Sequence, residues 1–227
     1  MSATTSASLW LAPRRALPWI VLAAGLAMAG FARAAPMGFK DSTMAMADLG
    51  PNWREAWANH AITRSDAFGV GALSMRSDDK ARTRDLVELN YTRLVQRWNL
   101  PEAQANVWFF GGLGALRGND FAGTRTLVAP GLQLDYETTR VYASATARLY
   151  RAHGINHDYA ALRAGFSFHE ADYDETQPWF IVEARRMRGL SGEVELTPML
   201  RLVNKRFFAE VGVNQARQGR FNLMMIF

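Results

Sequence analysis

The chain has 227 residues, 49% of them hydrophobic, with a formal net charge of +5 and no cysteine. A chain without cysteine has no disulfide framework and no thiolate metal site. Its arginines are scattered rather than gathered in a stripe, so no nucleic-acid partner is expected.

The first 34 residues read as a secretory signal peptide that is cleaved. Arg14 and Arg15 form a short basic region, the apolar run from Ala16 to Phe31 follows, and Ala32-Arg33-Ala34 is a small-x-small cleavage site. The alternative is an uncleaved membrane anchor. The run is 16 residues long, short of the about 20 that a helix needs to cross the hydrocarbon core. Three of the 26 basic residues lie in this segment, so residues 35–227 carry 23 basic against 21 acidic groups. No second apolar run is long enough for a membrane helix. An exported chain of this kind is either a soluble periplasmic or secreted domain or a closed membrane barrel.

Residues 35–227 read as one all-β domain, because two-residue alternation recurs and helical periodicity is almost absent. "KDSTMAMADLG" is an uncertain first strand and "WREAWANHAIT" a second. "AFGVGALSM" and "NVWFFGGLGAL" are glycine-rich and apolar on both faces. Between them, "LVELNYTRLVQRW" places Val87, Leu89, Tyr91 and Val95 on one face. Arg93 interrupts that face, and a bulge there would move it. "TLVAPGLQLDY" alternates through Leu132, Leu134 and Tyr136. The clearest strand is "RVYASATARLYR", with Val141, Ala143, Ala145, Ala147 and Leu149 facing one way. Strands follow around Leu162, Phe180, Leu200, Val211 and Leu223. Segments rich in Gly, Asn, Asp, Ser or Pro separate them, as tight reversals require. Twelve strands result, or ten if two weak segments fail, and the even number keeps both ends of a closed barrel on one side.

Alternation alone is shared by soluble and membrane β proteins. The polar faces mix Arg, Glu, Gln, Asn and Ser with Gly and Ala, as a hydrated or salt-bridged lumen would. Trp53, Trp57, Trp98, Tyr136, Tyr150, Trp179, Phe207 and Phe227 lie near strand ends, the placement of girdles at two membrane interfaces. The last strand, "RFNLMMIF", carries Phe221, Leu223, Met225 and Phe227 on one face. With the signal peptide and the short turns, this pattern resembles the outer-membrane β-barrel proteins of Gram-negative bacteria, at the level of the class. The resemblance implies a closed antiparallel transmembrane barrel in the outer membrane. It also implies that those four residues are read by the barrel-assembly machinery, and that outer-membrane lipid surrounds the fold. A soluble periplasmic β domain is the alternative.

The charged residues on the polar faces are the candidate lumen lining: Glu55, Glu88, Arg140, Arg148, Arg163, Glu183, Arg185, Glu195, Arg201 and Glu210. Opposite charges on facing strands would either pair across the lumen or line a narrow selective channel. His153 and His157 stand four apart at a turn, and Met44 and Met46 share a face, so both pairs are weak metal candidates, the thioethers for a soft cation such as Cu(I). Ser167, His169 and Glu170 invite a hydrolase reading, but no Gly-x-Ser-x-Gly elbow is present. No cofactor and no catalytic residue is expected. Three functions remain open: a narrow passive channel for small polar or ionic solutes, a non-conducting structural or interaction barrel, and a lipid-modifying or copper-handling envelope protein.

Overall fold

The structure is a computed structural model describing residues 36–172 and 174–227. The expected signal peptide lies outside the described residues. Thirteen strand segments follow in order. They are β1 (Thr43–Leu49), β2 (Trp53–Ala61), β3 (Asp66–Arg76), β4 (Thr83–Asn99), β5 (Ala103–Gly118), β6 (Arg125–Val128) and β7 (Gly131–Thr138). The series continues with β8 (Val141–Ala152), β9 (Ile155–Ser167), β10 (Gln177–Arg188), β11 (Glu195–Asn204), β12 (Phe207–Val213) and β13 (Gly219–Ile226).

Each segment pairs antiparallel with its neighbours, and β1 pairs with β13 from Met44↔Ile226 to Leu49↔Phe221. That last pairing closes the sheet. β6 and β7 are two halves of one barrel strand, both lying between β5 and β8. They part at Ala129-Pro130, where proline has no N–H to give the ladder. Thirteen segments therefore make twelve barrel strands, and the uncertain first segment is a full member. Closure leaves no continuous free edge, the condition for a sheet in hydrocarbon.

The faces are inverted relative to a soluble domain. Val87, Leu89 and Leu162 point outward and are 64%, 66% and 63% exposed. The inward positions of the same barrel hold Glu183, Arg201, Glu210 and Arg220, all buried. Every outward strand face presents leucine, valine, alanine or aromatic side chains over its middle. Only a lipid environment makes that arrangement favourable, since contiguous apolar surface of this extent is costly in water.

The bulge in β4 falls at Val95, between Leu94 and Gln96, two residues later than the expected place. It leaves Arg93 outward and carries Arg97 to the inner side, where Arg97 Nε donates to Asn106 Oδ1 at 2.7 Å. Arg93 is stabilised where it stands: its guanidinium lies 3.1 Å from Asp66 Oδ1 and 3.3 Å from the Tyr91 hydroxyl. The expected pair of aromatic girdles is likewise only half present. Trp98, Tyr136, Phe207 and Phe227 are outward at the rim of the described chain ends, where β1 begins and β13 finishes. Trp53, Tyr150 and Trp179 instead point into the barrel and are buried, and Trp57 lines its cavity.

In the loop after β5, Asp120 accepts two hydrogen bonds from Arg84, at 2.5 and 2.8 Å. These bonds hold its carboxyl below the usual aspartate range. A carboxyl depressed in the folded state stabilises above the ordinary aspartate pKa and loses that contribution as pH falls through the folded value. Asp120→Asn is therefore expected to lower the urea midpoint at neutral pH. The gap from wild type should close as the pH falls from about 5 to about 2.

Candidate functional site

The barrel interior is layered. At the rim away from the chain ends, Trp53, Leu73, Met75, Leu86, Leu116, Leu127, Tyr150 and Met187 form an apolar cluster across the mouth. Toward the other rim, smaller clusters form around Trp108, around Trp179 and Ile181, and around Met44, Phe208 and Met224. The charged side chains lie between. Unpaired charges in a low-dielectric interior cost several kcal/mol each, roughly, so these must be paired or hydrated.

The pairing falls into two groups. On one side Arg148 Nη2 donates to Glu88 Oε1 at 2.6 Å, and its other terminal nitrogen stands 4.0 Å from Glu55. Trp53 Nε1 donates to Glu55 at 3.3 Å. Gly112 makes room for this pair: a Cβ there would sit 2.3 Å from Glu88 Oε2 and 2.7 Å from Arg148 Nη2. The apolar, glycine-rich β3 and β5 thus provide the concave wall against which β4 and β8 aim long charged side chains. Gly112→Ala is expected to displace both groups and cost about 1–3 kcal/mol by overpacking, read as a lower urea midpoint in micelles.

On the other side four arginines meet four carboxylates. Arg163 pairs with Glu210 and stands 3.2 Å from Glu183. Arg201 Nε donates to Glu210 at 2.9 Å. Arg185 stands 3.1 Å from Glu195 and 3.5 Å from Asp48. Arg220 donates to Asp48 at 3.1 and 2.6 Å and also pairs with Glu183. Several of these links join strands that are not neighbours, such as β8 to β4, β10 to β1 and β13 to β10. They therefore brace the barrel across its lumen as well as along its wall.

Nine of the ten expected lining residues face inward in these two groups. Arg140 lies in the β7–β8 turn, exposed, with its Nε donating to the Ser167 carbonyl at 3.3 Å. β8 begins one residue later, at Val141, so Arg140 lies outside the strand to which the alternation assigned it. Asp48 and Arg220 were missed, although each sits at the inward parity of its strand, two residues beyond Met46 and before Asn222. Asp48 lies in the segment of uncertain strand character, and Arg220 directly follows a turn.

The remaining candidates disperse. His157 is buried on the inward face of β9, while His153 is exposed in the β8–β9 turn. Met44 and Met46 share the inward face of β1 and pack with Phe208 and Met224. Among the described residues no three His, Cys, Asp or Glu side chains gather as a metal group. Ser167 is buried with its hydroxyl donating to the Thr139 carbonyl at 3.2 Å. Glu170 accepts from the Thr139 hydroxyl at 3.0 Å, and His169 is exposed beyond the end of β9. No nucleophile–base contact joins these three. Phe221, Leu223, Met225 and Phe227 occupy the outward side of the last strand and its end, as their spacing predicts.

A cavity of about 200 Å³ occupies the middle of the lumen, with Asp48, Glu55, Glu88, Arg148, Arg163 and Glu183 in its wall. It reaches toward the rim of the chain ends at Pro36 and Asn59. A second cavity of about 80 Å³ lies at the opposite mouth, beside Asn52, Arg76, Asp78 and Glu193. Trp53 and Tyr159 belong to the walls of both. Their rings lie 4.8 Å apart at 30°, with Tyr150 packed edge-on against Trp53 at 6.4 Å. This aromatic partition separates the two cavities.

No protein-family model and no curated protein matches the chain. Among solved structures, the KdgM porin is similar at 11% identity over 82% of this chain and 98% of that one, with a TM-score of 0.47. A second structure of the same porin, in complex with disordered oligogalacturonate, matches equally. CdiB from Acinetobacter baumannii is 9% identical over 84% of this chain and 61% of its own, with a TM-score of 0.29. The geometry stands on its own: a closed antiparallel barrel of twelve strands, apolar outside and charged inside, has the architecture of an outer-membrane β-barrel protein.

Proposed function

We propose that the protein is exported through its cleaved signal peptide and inserted in the outer membrane by way of its last strand. There it acts as a narrow passive channel for small polar or ionic solutes. The observation that carries this reading is the central cavity walled by charge, in line with a second cavity at the far mouth. A barrel needed only as a scaffold does not require eight or more desolvated charged groups. Packing the same volume with apolar side chains is often equally stable or more so. Charged rings around a confined path are, by contrast, the means by which pores choose among small solutes.

A second reading is a non-conducting barrel, favoured by the Trp53–Tyr159 partition and the apolar cluster beside it. Planar-bilayer recording decides between them. The channel reading expects small, discrete, salt-dependent current steps from folded protein. Folded protein that inserts and passes no current would leave the scaffold reading. Mass determination of the protein from isolated membranes tests the export step, with a mature chain starting at Ala35 as the expected result.

A further inference from the structure

The outer surface differs between its two rims. At the rim of the chain ends it is aromatic: Phe68 stacks near Tyr91 at 4.9 Å, and Phe166 lies 5.7 and 5.9 Å from Phe168 and Phe180. Among its outward strand positions the arginine, Arg93, is matched by Asp66, and Arg206 in the β11–β12 turn lies over the Phe39 ring. At the opposite rim the outward positions are largely arginine: Arg54 on β2, Arg117 on β5, Arg151 on β8, and Arg186 and Arg188 on β10, Arg186 also bordering the second cavity. The outward carboxylates of that rim leave a surplus of positive charge. Asp85 stands opposite Arg117 in the ladder, and Asp158 is shared between Arg151 and Arg188.

The densest part of this belt spans β8 to β10. Arg188 is paired across the ladder with Asp158, and Arg186 with Ala160. Arg188 is 72% exposed even while it holds Asp158, and Arg186 is exposed. Immediately inward along the same face come Leu162 and Ala184, which belong to the lipid-facing band. A guanidinium at the edge of hydrocarbon must sit at headgroup level, its stem along the apolar surface. Its planar fork matches phosphate oxygens in two parallel hydrogen bonds, which lysine does not reproduce.

We propose that this arginine belt, centred on Arg151, Arg186 and Arg188, binds the phosphate of anionic lipid headgroups in the leaflet away from the chain ends. The belt thereby fixes the depth and orientation of the barrel. The proposal rests on the membrane-spanning reading and is independent of conduction. The surplus of guanidinium over carboxylate supplies the attraction, and the neighbouring apolar band supplies the acyl-chain surface. An asymmetric protein surface of this kind suits a bilayer whose leaflets differ in phosphate content.

The test uses the folded full-length barrel in detergent, with bound lipid counted by native mass spectrometry in mixtures of phosphatidic acid and phosphatidylcholine. Wild type is expected to retain phosphatidic acid preferentially. Arg186→Gln with Arg188→Gln should weaken that retention about tenfold, since each basic side chain at the surface contributes to anionic-lipid attraction. Arg206→Gln, at the other rim, should leave it unchanged. Should the double variant not fold, Arg54→Gln with Arg117→Gln repeats the test elsewhere in the belt. Retention equal to wild type, or an equal loss in Arg206→Gln, overturns the proposal. So does displacement of the lipid by an equimolar amount of inorganic phosphate. Heat-dependent gel migration run beside each sample separates the two levels. A folded, heat-modifiable barrel without the preference removes the belt alone, and a chain without heat-modifiable migration removes the membrane-spanning reading.

Discussion

Replacing Arg220 with alanine is expected to lower the stability of the barrel by about 3–5 kcal/mol, the cost of leaving buried charges without their partner. Arg220 is 5% exposed and bridges Asp48 on β1 and Glu183 on β10. Without it, Asp48 retains Arg185 at 3.5 Å, and Glu183 retains Arg163 at 3.2 Å. Glu183 also keeps Arg185 at 3.9 Å, so the remaining bridges are longer and shared. The loss is read as a lower urea midpoint by tryptophan fluorescence in micelles. If charge imbalance is the cause, Arg220→Met combined with Asp48→Asn should recover much of it, because three arginines then face three carboxylates, and removing a buried pair is far cheaper than removing one member. A double variant as unstable as the single one would mean that the guanidinium's packing, rather than its charge, holds the site.

Opening the partition has the largest expected functional effect. Trp53 and Tyr159 stand between the two cavities, and Trp53 also anchors Glu55 through its ring nitrogen. Trp53→Ala with Tyr159→Ala removes both stacked rings and joins the cavities. Single-channel conductance in planar bilayers should then rise several-fold over wild type, with the folded state checked by heat-dependent migration. An unchanged conductance would place the constriction elsewhere, and the apolar ring of Leu73, Met75 and Leu116 would be the next candidate.

The fold was legible because a barrel's two solvents differ so sharply. Val141 to Leu149 and Ala160 to Phe168 alternate cleanly, since one side must satisfy lipid and the other charge. Glycine-rich β3 and β5 were less clear, because their inward positions hold Gly69, Gly71, Gly112 and Gly114 where polar residues were expected. Gly112 makes room for side chains of other strands and Gly69 and Gly114 for the neighbouring backbone, and no local pattern reveals that. The lumen was legible in the same partial way. Arg163 opposite Glu183 and Arg201 opposite Glu210 are ladder partners that a hairpin register supplies directly. The links from Arg148 to Glu88 and from Arg220 to Glu183 depend on curvature and closure, which a linear pattern does not encode. Girdle residues were misjudged for a related reason. Proximity to a strand end does not say which face a ring occupies, and the parity of Trp53, Tyr150 and Trp179 turns them inward.

The central claim is that apolar residues face lipid and charged residues face the lumen. The chain has no cysteine, so single-cysteine variants along β9 and β10 can each carry one spin label in a lipid bilayer. Labels at Leu162, Ala164 and Val182 should be relaxed strongly by oxygen dissolved in the hydrocarbon and weakly by a water-soluble nickel chelate. Labels at the inward Tyr159 and Ala161 should lose the oxygen effect, giving a two-residue oscillation along the strand. Oxygen accessibility without that oscillation, or chelate accessibility at Leu162 and Val182, would contradict the barrel described here.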